Sequence, residues 1–172
     1  MRDTKEILIK SAIDIIVKEG IENLSVNATL RLADVSKGSF YYHYNNLDEL
    51  LMDTSLNVMK YFFDQFLFID NELTADKIKK IGRKIIKSNE DSKKMETMYF
   101  LLLSKTFSNK KIKKMLIKKR KEHLIKLNKK FSNQKVLLLD ILITGFLAQK
   151  QVFDSYEKLL KLWDSLVDNY FI

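Results

Sequence analysis

The sequence predicts an all-α protein. Two observations carry this prediction: the chain has no proline and only four glycines among its 172 residues, and apolar side chains recur with helical spacing along nearly its whole length. About nine helices result from this spacing. We expect a group of short helices in residues 1–46 and a larger helical domain in residues 47–172.

The first predicted helix covers residues 3 to 19 and ends at Gly20, because glycine is common just past a helix end. Two shorter helices follow it. Ser25 and Ser36 suit their N-termini, since a serine hydroxyl accepts a hydrogen bond from an orphan backbone N–H. Asp34 lies between them and tolerates the left-handed backbone that a tight turn requires. The apolar face of the first helix comprises Ile7, Leu8, Ala12, Ile15 and Ile16.

Two short helices joined by a tight turn are typical of a helix-turn-helix, whose second helix can lie in the major groove of DNA. Phe40 is expected to face the protein, which leaves polar and aromatic side chains outside. Lys37 can donate to guanine, and Tyr42 can meet a thymine methyl group. The expected base contacts are Asn27, Lys37, Gly38 and Tyr42. The expected phosphate contacts, which fix register, are Ser25, Ser39, Tyr41 and His43.

This stretch resembles the TetR family of transcriptional repressors. The resemblance rests on Val35-Ser36-Lys37-Gly38-Ser39-Phe40-Tyr41-Tyr42-His43-Tyr44, followed by Leu47-Asp48-Glu49-Leu50-Leu51. The family typically has V-S-x-G-x-L-Y-x-H-F and then K-E-x-L-L, and the match is specific over residues 4 to 51. The resemblance implies a ligand-responsive repressor that acts as a homodimer on a palindromic operator in double-stranded DNA.

The chain departs from the family pattern in three places. Thr29-Leu30 stands where the family usually has Ile-Ala, and Asp34 stands at the turn glycine. Leu47 replaces the lysine that opens the next helix and holds a phosphate, so we expect that contact to be missing.

The second domain is expected to begin with a long helix that Asn46 caps and that runs from Leu47 to about Asp70. Its length indicates a strut that joins the two domains. Five further helices are predicted, over residues 74–88, 91–107, 109–131, 134–151 and 153–170.

The resemblance implies an effector cavity between the strut and the helices that follow it. Methionine and aromatic side chains adapt to irregular ligands, although core packing is the simpler interpretation for any single one of them. A hydrophobic or amphipathic small molecule is the expected effector. The candidate pocket residues are Met59, Phe62, Phe66, Met95, Met98, Tyr99, Phe107 and Phe146.

The last two helices carry more apolar surface than one amphipathic face needs, and residues 136–143 are apolar on almost every side. This surplus favours a homodimer, as the resemblance also implies. The alternative is that both helices are central in a monomer. The candidate interface residues are Leu138, Leu142, Phe146, Tyr156, Trp163 and Val167.

The net charge of +9 is unevenly distributed. Residues 1–50 carry six basic against eight acidic side chains, whereas residues 77–130 carry twenty against four. The prediction of DNA binding therefore rests on the motif and not on bulk charge. The lysine-rich stretch Lys110–Lys130 has two interpretations: a solvated helix face, or a patch for an anion such as DNA phosphate or an acidic effector.

The sequence contains few residues that could form an enzyme active site. It has no cysteine, only two histidines and scattered carboxylates, so we expect no catalytic residues, no metal site and no cofactor. No signal peptide and no span long enough for a bilayer is found, so a soluble cytoplasmic protein without stable membrane association is expected. Two other functions stay open: a helical carrier of an apolar ligand, and a basic protein that docks on anionic membranes.

Overall fold

A computed structural model describes residues 3–67, 74–128 and 132–171 of the chain. These residues form nine α-helices and one short 3-10 helix, Ile21–Asn23, with no strand among them, which confirms the all-α prediction. The predicted ends of the strut at Asp70 and of the following long helix at Phe131 lie outside the described residues. The helices are α1 Thr4–Glu19, α2 Val26–Ala33, α3 Lys37–His43, α4 Leu47–Leu67, α5 Ala75–Ile86, α6 Glu90–Lys105, α7 Lys110–Asn128, α8 Asn133–Lys150 and α9 Tyr156–Tyr170.

Helix starts lie where the local sequence supplies a side-chain acceptor. The Ser25 hydroxyl accepts from the Ala28 N–H at 3.1 Å. The Asn46 side-chain oxygen accepts from the Glu49 N–H at 2.9 Å, and the Thr74 hydroxyl caps α5 through the Lys77 N–H. Each bond satisfies a backbone donor that the first helical turn leaves without a partner, so short segments already define these helix starts.

Two turns need unusual backbone angles. Gly20 ends α1 with φ 92°, a conformation that a side chain would strain. Asp34 ends α2 in the left-handed region, with φ 53° and ψ 50°, and is the one non-glycine residue with positive φ in the described ranges. The aspartate therefore makes the tight turn for which the TetR pattern uses glycine.

The chain forms two compact units. The first contains Met1–Phe62 together with Glu90–Leu116, and the second contains Phe63–Asn89 together with Ile117–Ile172. The division between DNA-binding and effector domains at residues 46 and 47 concerns function and stays a prediction.

In the first unit, helix α1 packs against α2, α3 and α6. Its side chains Leu8, Ala12 and Ile16 are almost fully buried, which matches the predicted apolar face. Two ion pairs join this region to α6, one between Asp14 and Lys94 at 2.7 Å. The other links Glu22 to Lys105 at 2.7 Å. The buried face of α1 is therefore the support on which the helix-turn-helix is built.

In the second unit, α5, α8 and α9 pack together. Trp163 of α9 is 1% exposed, lies against Gly82 of α5 and donates its indole N–H to the Ile78 carbonyl at 3.2 Å. Ion pairs of Arg83 with Asp164 and of Lys79 with Asp168 flank this contact. A glycine on α5 thus lets a tryptophan on α9 approach the helix backbone.

His123 lies in the lysine-rich helix α7 but is not a surface residue. It is 6% exposed. The reason is its register on α7: Ile112 and Leu116, which are also buried, lie eleven and seven residues earlier and share its face of the helix.

Candidate nucleic-acid interface

Helix α3 presents a polar and aromatic outer face. Phe40 is fully buried and fixes the inner side of the helix. Lys37 and Gly38 are exposed, and Tyr42 is 85% exposed. Asn27, near the start of α2, is exposed as well. All four residues predicted to contact bases are therefore accessible within the described part of the molecule.

Gly38 leaves open space above α3. A methyl group built there would meet only the Ser36 hydroxyl, at 3.7 Å. Lys37 lies beside Gly38, with its ammonium 5.9 Å from the centre of the Tyr41 ring. The edge of this helix can therefore approach a groove floor closely, while a cation and an aromatic ring stand next to it.

The residues predicted to contact phosphate combine structural and surface roles. Ser25 caps α2, and Ser39 exchanges a hydrogen bond of 2.9 Å with the Ser36 hydroxyl that caps α3. Tyr41 is half exposed, and His43 is half buried with its ring 4.9 Å from that of Tyr42. Hydroxyl groups at helix N-termini lie next to backbone N–H groups, which is the arrangement that attracts phosphate oxygens.

A partly buried polar cluster holds the end of α3 against α4. The Tyr44 hydroxyl donates to Asp53 at 2.9 Å, and the Lys5 ammonium lies 2.8 Å from the same carboxylate oxygen. Burial, and then the bond to Asp53, raises the pKa of Tyr44 well above its usual value. The hydroxyl therefore stays protonated and remains a donor at any physiological pH, so α1, α3 and α4 are joined at one point.

The start of α4 carries carboxylates instead of the lysine of the TetR pattern. Leu47 is half buried and offers no donor. Asp48 follows it and is largely exposed. Glu49 accepts from the Asn45 N–H at 2.9 Å, and this bond lowers the pKa of Glu49. The nearest cation described at Asp48 comes from α7: the Lys111 ammonium lies 3.6 Å from the Asp48 carboxylate.

The predicted effector-pocket residues do not all come together. Met59, Phe62 and Met98 are buried in the first unit, and the rings of Phe62 and Tyr99 lie 4.8 Å apart. Met95, on the same helix as Tyr99, is half buried. The contact between the Phe62 and Tyr99 rings brings α4 and α6 together, and Met59, Met95 and Met98 lie on the same two helices.

Three of the pocket residues differ from this group. Phe107 is 94% exposed, because it lies in the turn after α6, where no helix covers it. Phe146 belongs to the second unit, where its ring lies 4.7 Å from that of Trp163. The side chain of Phe66 lies outside the described residues.

A groove of about 300 Å³ lies between α1 and α4 in the first unit. The sequence did not indicate it, because its lining mixes both charges and comes from solvent-facing positions of two helices that are far apart in the chain. Its lining residues are Asp3, Lys5, Glu6, Ile9, Asp53, Leu56, Asn57 and Lys60.

The predicted dimer interface needs correction. Trp163, Val167 and Phe146 are buried inside the second unit, where the core of α5, α8 and α9 uses them. They are therefore not on a surface that a partner can reach. Leu138 and Leu142 are half buried, and Tyr156 is exposed. The large apolar side chains that do reach solvent on α8 and α9 are Leu137, Ile141, Tyr156, Leu162 and Tyr170.

Within the described ranges, no group of three histidine or carboxylate side chains has a metal-binding arrangement. No helix in those ranges combines the length and the apolar character needed to cross a bilayer.

Comparison with known proteins agrees with this geometry. Residues 8–53 match the family described as "Bacterial regulatory proteins, tetR family". No curated protein sequence matches the chain. This family match covers α2, α3 and the turn between them, together with most of α1 and the start of α4.

Solved structures extend the similarity to the whole chain. GusR of Salmonella enterica has 12% identity and a TM-score of 0.80, covering 98% of this chain and 95% of that chain. A TetR-family transcriptional regulator from Rhodococcus sp. has 14% identity and a TM-score of 0.77, with both chains fully covered. The multidrug binding protein EbrR, complexed with malachite green, has 16% identity and a TM-score of 0.75, covering 99% of each chain. At these identities the likeness shows a shared fold.

Proposed function

Because residues 8–53 make this chain a member of the TetR family of bacterial regulatory proteins, we propose that it is a homodimeric repressor released from a palindromic operator by a small molecule. The protein is a ligand-responsive, DNA-binding transcriptional regulator and not an enzyme. Repression, the operator symmetry, the homodimer and a cytoplasmic location belong to the proposal.

The outer face of α3 is the observation that carries the DNA-binding part. Lys37, Gly38 and Tyr42 are exposed together on a helix that buried Phe40 and the Ser36 cap hold in place. A short helix fixed in this way and rich in donors suits the major groove, where lysine reads guanine and an aromatic ring meets thymine.

Replacement of Lys37 by alanine tests base reading. With an operator selected from random duplexes, Lys37→Ala should weaken operator binding by roughly 1–3 kcal/mol and relax preference at one or two positions. Lys10→Ala is the matched control, since Lys10 is an exposed α1 lysine paired with Glu6. Equal loss on operator and on random DNA would assign Lys37 to phosphate contact, and the absence of any operator would overturn the function.

The homodimer is proposed through the solvent-facing sides of α8 and α9. Leu137 and Ile141 lie one turn apart on α8, and Leu162 is exposed on α9. Gly145 continues the α8 stripe, and no atom lies within 4 Å of a methyl group built on it. A stripe of apolar side chains that ends in a glycine suits close packing against a second helix pair.

A charge on this stripe should separate the protomers without unfolding them. We expect Ile141→Lys and Gly145→Glu to sediment as monomers that keep wild-type helix content and lose operator binding, because both positions face solvent within their own chain. Lys161→Glu, on an exposed part of α9 paired with Glu157, is the control. Wild-type protein that sediments as a monomer at micromolar concentration would contradict the homodimer.

The effector is proposed to bind beside Met59, Phe62, Met98 and Tyr99, where α4 and α6 bring apolar and aromatic side chains together. A ligand wedged there bears on α4, which leads directly to α3. It shifts the DNA-binding equilibrium only by its difference in affinity between the two states.

Malachite green and ethidium are suitable first probes, because EbrR, a structural neighbour, has been solved with both. We expect one of a panel of apolar or aromatic compounds to weaken operator binding, and Met98→Trp to abolish that response by filling the region. Phe107→Ala is the control, since Phe107 is in solvent. If the whole panel leaves operator affinity unchanged, the protein binds DNA constitutively.

A further inference from the structure

The first five residues of α7 include four exposed lysines, Lys110, Lys111, Lys113 and Lys114, hereafter the lysine patch. Ile112 and Leu116 are buried and fix the inner face of this segment, so the four ammonium groups stand on its outer and lateral sides. The lysine patch lies in the same compact unit as the helix-turn-helix.

The lysine patch destabilises the N-terminal end of α7. The N-terminus of a helix carries partial positive charge, so cations there are unfavourable, and this first turn contains three lysines and no acid. Lys110 also faces Lys113 and Lys114 at spacings of three and four residues, where like charges repel. The cap from Asn109, whose side chain accepts from the Lys111 and Ile112 N–H groups, supports the turn locally. An external anion would remove the remaining repulsion.

The lysine patch lies beside the start of α4. Lys111 reaches the start of α4, where its ammonium lies 3.6 Å from Asp48, and both side chains are about four-fifths exposed. This is the point at which the TetR pattern has a phosphate-binding lysine and this chain has Leu47. The contact with Asp48 is long and exposed, so it holds the lysine weakly and leaves it free to meet a stronger acceptor.

We propose that the lysine patch binds DNA backbone phosphate beside the recognition helix and replaces the contact that Leu47 lacks. The inference rests on the proposed function and adds a second, sequence-independent element to it. It also explains why the basic side chains are unevenly distributed along the chain. Residues 1–50 carry more acidic than basic side chains, and α7 supplies the missing positive charge from a distant part of the sequence.

The test compares two double variants of the same net charge. Lys111→Gln/Lys114→Gln removes one side of the lysine patch, and Lys121→Gln/Lys126→Gln removes two exposed lysines from the same helix, roughly 15 Å farther along its axis. That separation exceeds the screening length of about 10 Å at 0.1 M salt, so the control reports bulk charge alone. Circular dichroism checks that both variants keep wild-type helix content.

Operator and random duplexes are titrated at several salt concentrations. We expect the lysine-patch variant to bind both duplexes roughly ten-fold more weakly at 0.1 M salt, with a log–log salt slope lower by about one to two units. The control should keep the wild-type slope. Adding Leu47→Lys to the lysine-patch variant should restore about one unit, which a merely structural defect would not allow.

The possible outcomes separate the two proposals. A wild-type protein that binds no operator overturns the proposed function and this inference with it. A wild-type protein that binds its operator, with both double variants equal in affinity and slope, leaves the function standing and overturns the inference. A loss confined to the operator, with random DNA unaffected, also overturns it, since phosphate contacts carry no sequence information.

Discussion

The helix-turn-helix and the packing of α5 against α9 are built in opposite ways. In the helix-turn-helix, each turn and cap depends on neighbours within a few residues: Ser25 on Ala28, Ser36 on Ser39, and Asp34 on its own backbone. The α5–α9 contact joins residues about eighty positions apart, with Trp163 lying on Gly82. Surface side chains of the helix-turn-helix can therefore be replaced without altering its caps and turn. At the α5–α9 contact, even one added methyl group requires the neighbouring side chains to repack.

A glycine-to-alanine substitution should have opposite effects on the free energy of unfolding in the two regions. This is the largest effect that we expect. A methyl group on Gly82 would lie 2.5 Å from the Trp163 ring, so Gly82→Ala should lower the free energy of unfolding by about 1–3 kcal/mol, although alanine itself favours a helix. Gly38→Ala meets no clash and should raise it by about 0.5–1 kcal/mol.

Urea unfolding measures both glycine variants. Gly38→Ala should also weaken operator binding, because the added methyl group stands on the face that approaches the groove. If both variants shift the unfolding midpoint in the same direction, the contrast between the two regions is wrong.

Two buried threonines sharpen the comparison within the first unit. Thr29 donates its hydroxyl to the Ser25 carbonyl at 2.8 Å, so Thr29→Val should cost about 1 kcal/mol. Thr54 on α4 is equally buried, but its hydroxyl has no partner among the described residues, so Thr54→Val should stabilise by about 1 kcal/mol. Thermal unfolding of the two variants side by side gives the sign of each, and a loss for Thr54→Val would show that its hydroxyl is bonded.

The smallest effect concerns a half-buried charge in the second unit. Burial raises the pKa of Asp140, and the ion pair with Arg120 only partly opposes this. An unfolded aspartate titrates near pH 3.9, so the folded chain binds the proton more strongly between that pH and the raised pKa. The contribution of Asp140 to the free energy of unfolding therefore falls as pH rises through that window.

Asp140→Asn removes this titration. The free energy of unfolding of wild type minus that of the variant, measured by urea unfolding from pH 4 to pH 7, should decrease with rising pH and then level off. A difference that increases with pH would mean that the Arg120 ion pair dominates the pKa of Asp140.

The sequence predicted the features that depend on interactions between neighbouring residues. The caps at Ser25, Ser36 and Asn46 and the turn at Asp34 follow from residues within one helical turn, and all four are present. The exposed face of α3 was predictable for the same reason, because the spacing around Phe40 defines it.

Contacts between segments that are far apart in the sequence could not be predicted. Helical spacing shows that α9 has an apolar face, but not whether that face meets its own chain or a partner. Trp163 was therefore assigned to a dimer interface, although Gly82 on α5 receives it. Phe107 looked like a pocket residue because aromatic residues usually pack, and only the end of α6 at Lys105 exposes it.

The cluster of Lys5, Asp53 and Tyr44 has a mechanical consequence. One carboxylate receives the hydroxyl that follows α3 and the ammonium of α1, and it stands within the first two turns of α4. These three segments are therefore joined at one carboxylate. A displacement of α4 at Asp53 would be transmitted through the two contacts to the end of α3 and to α1.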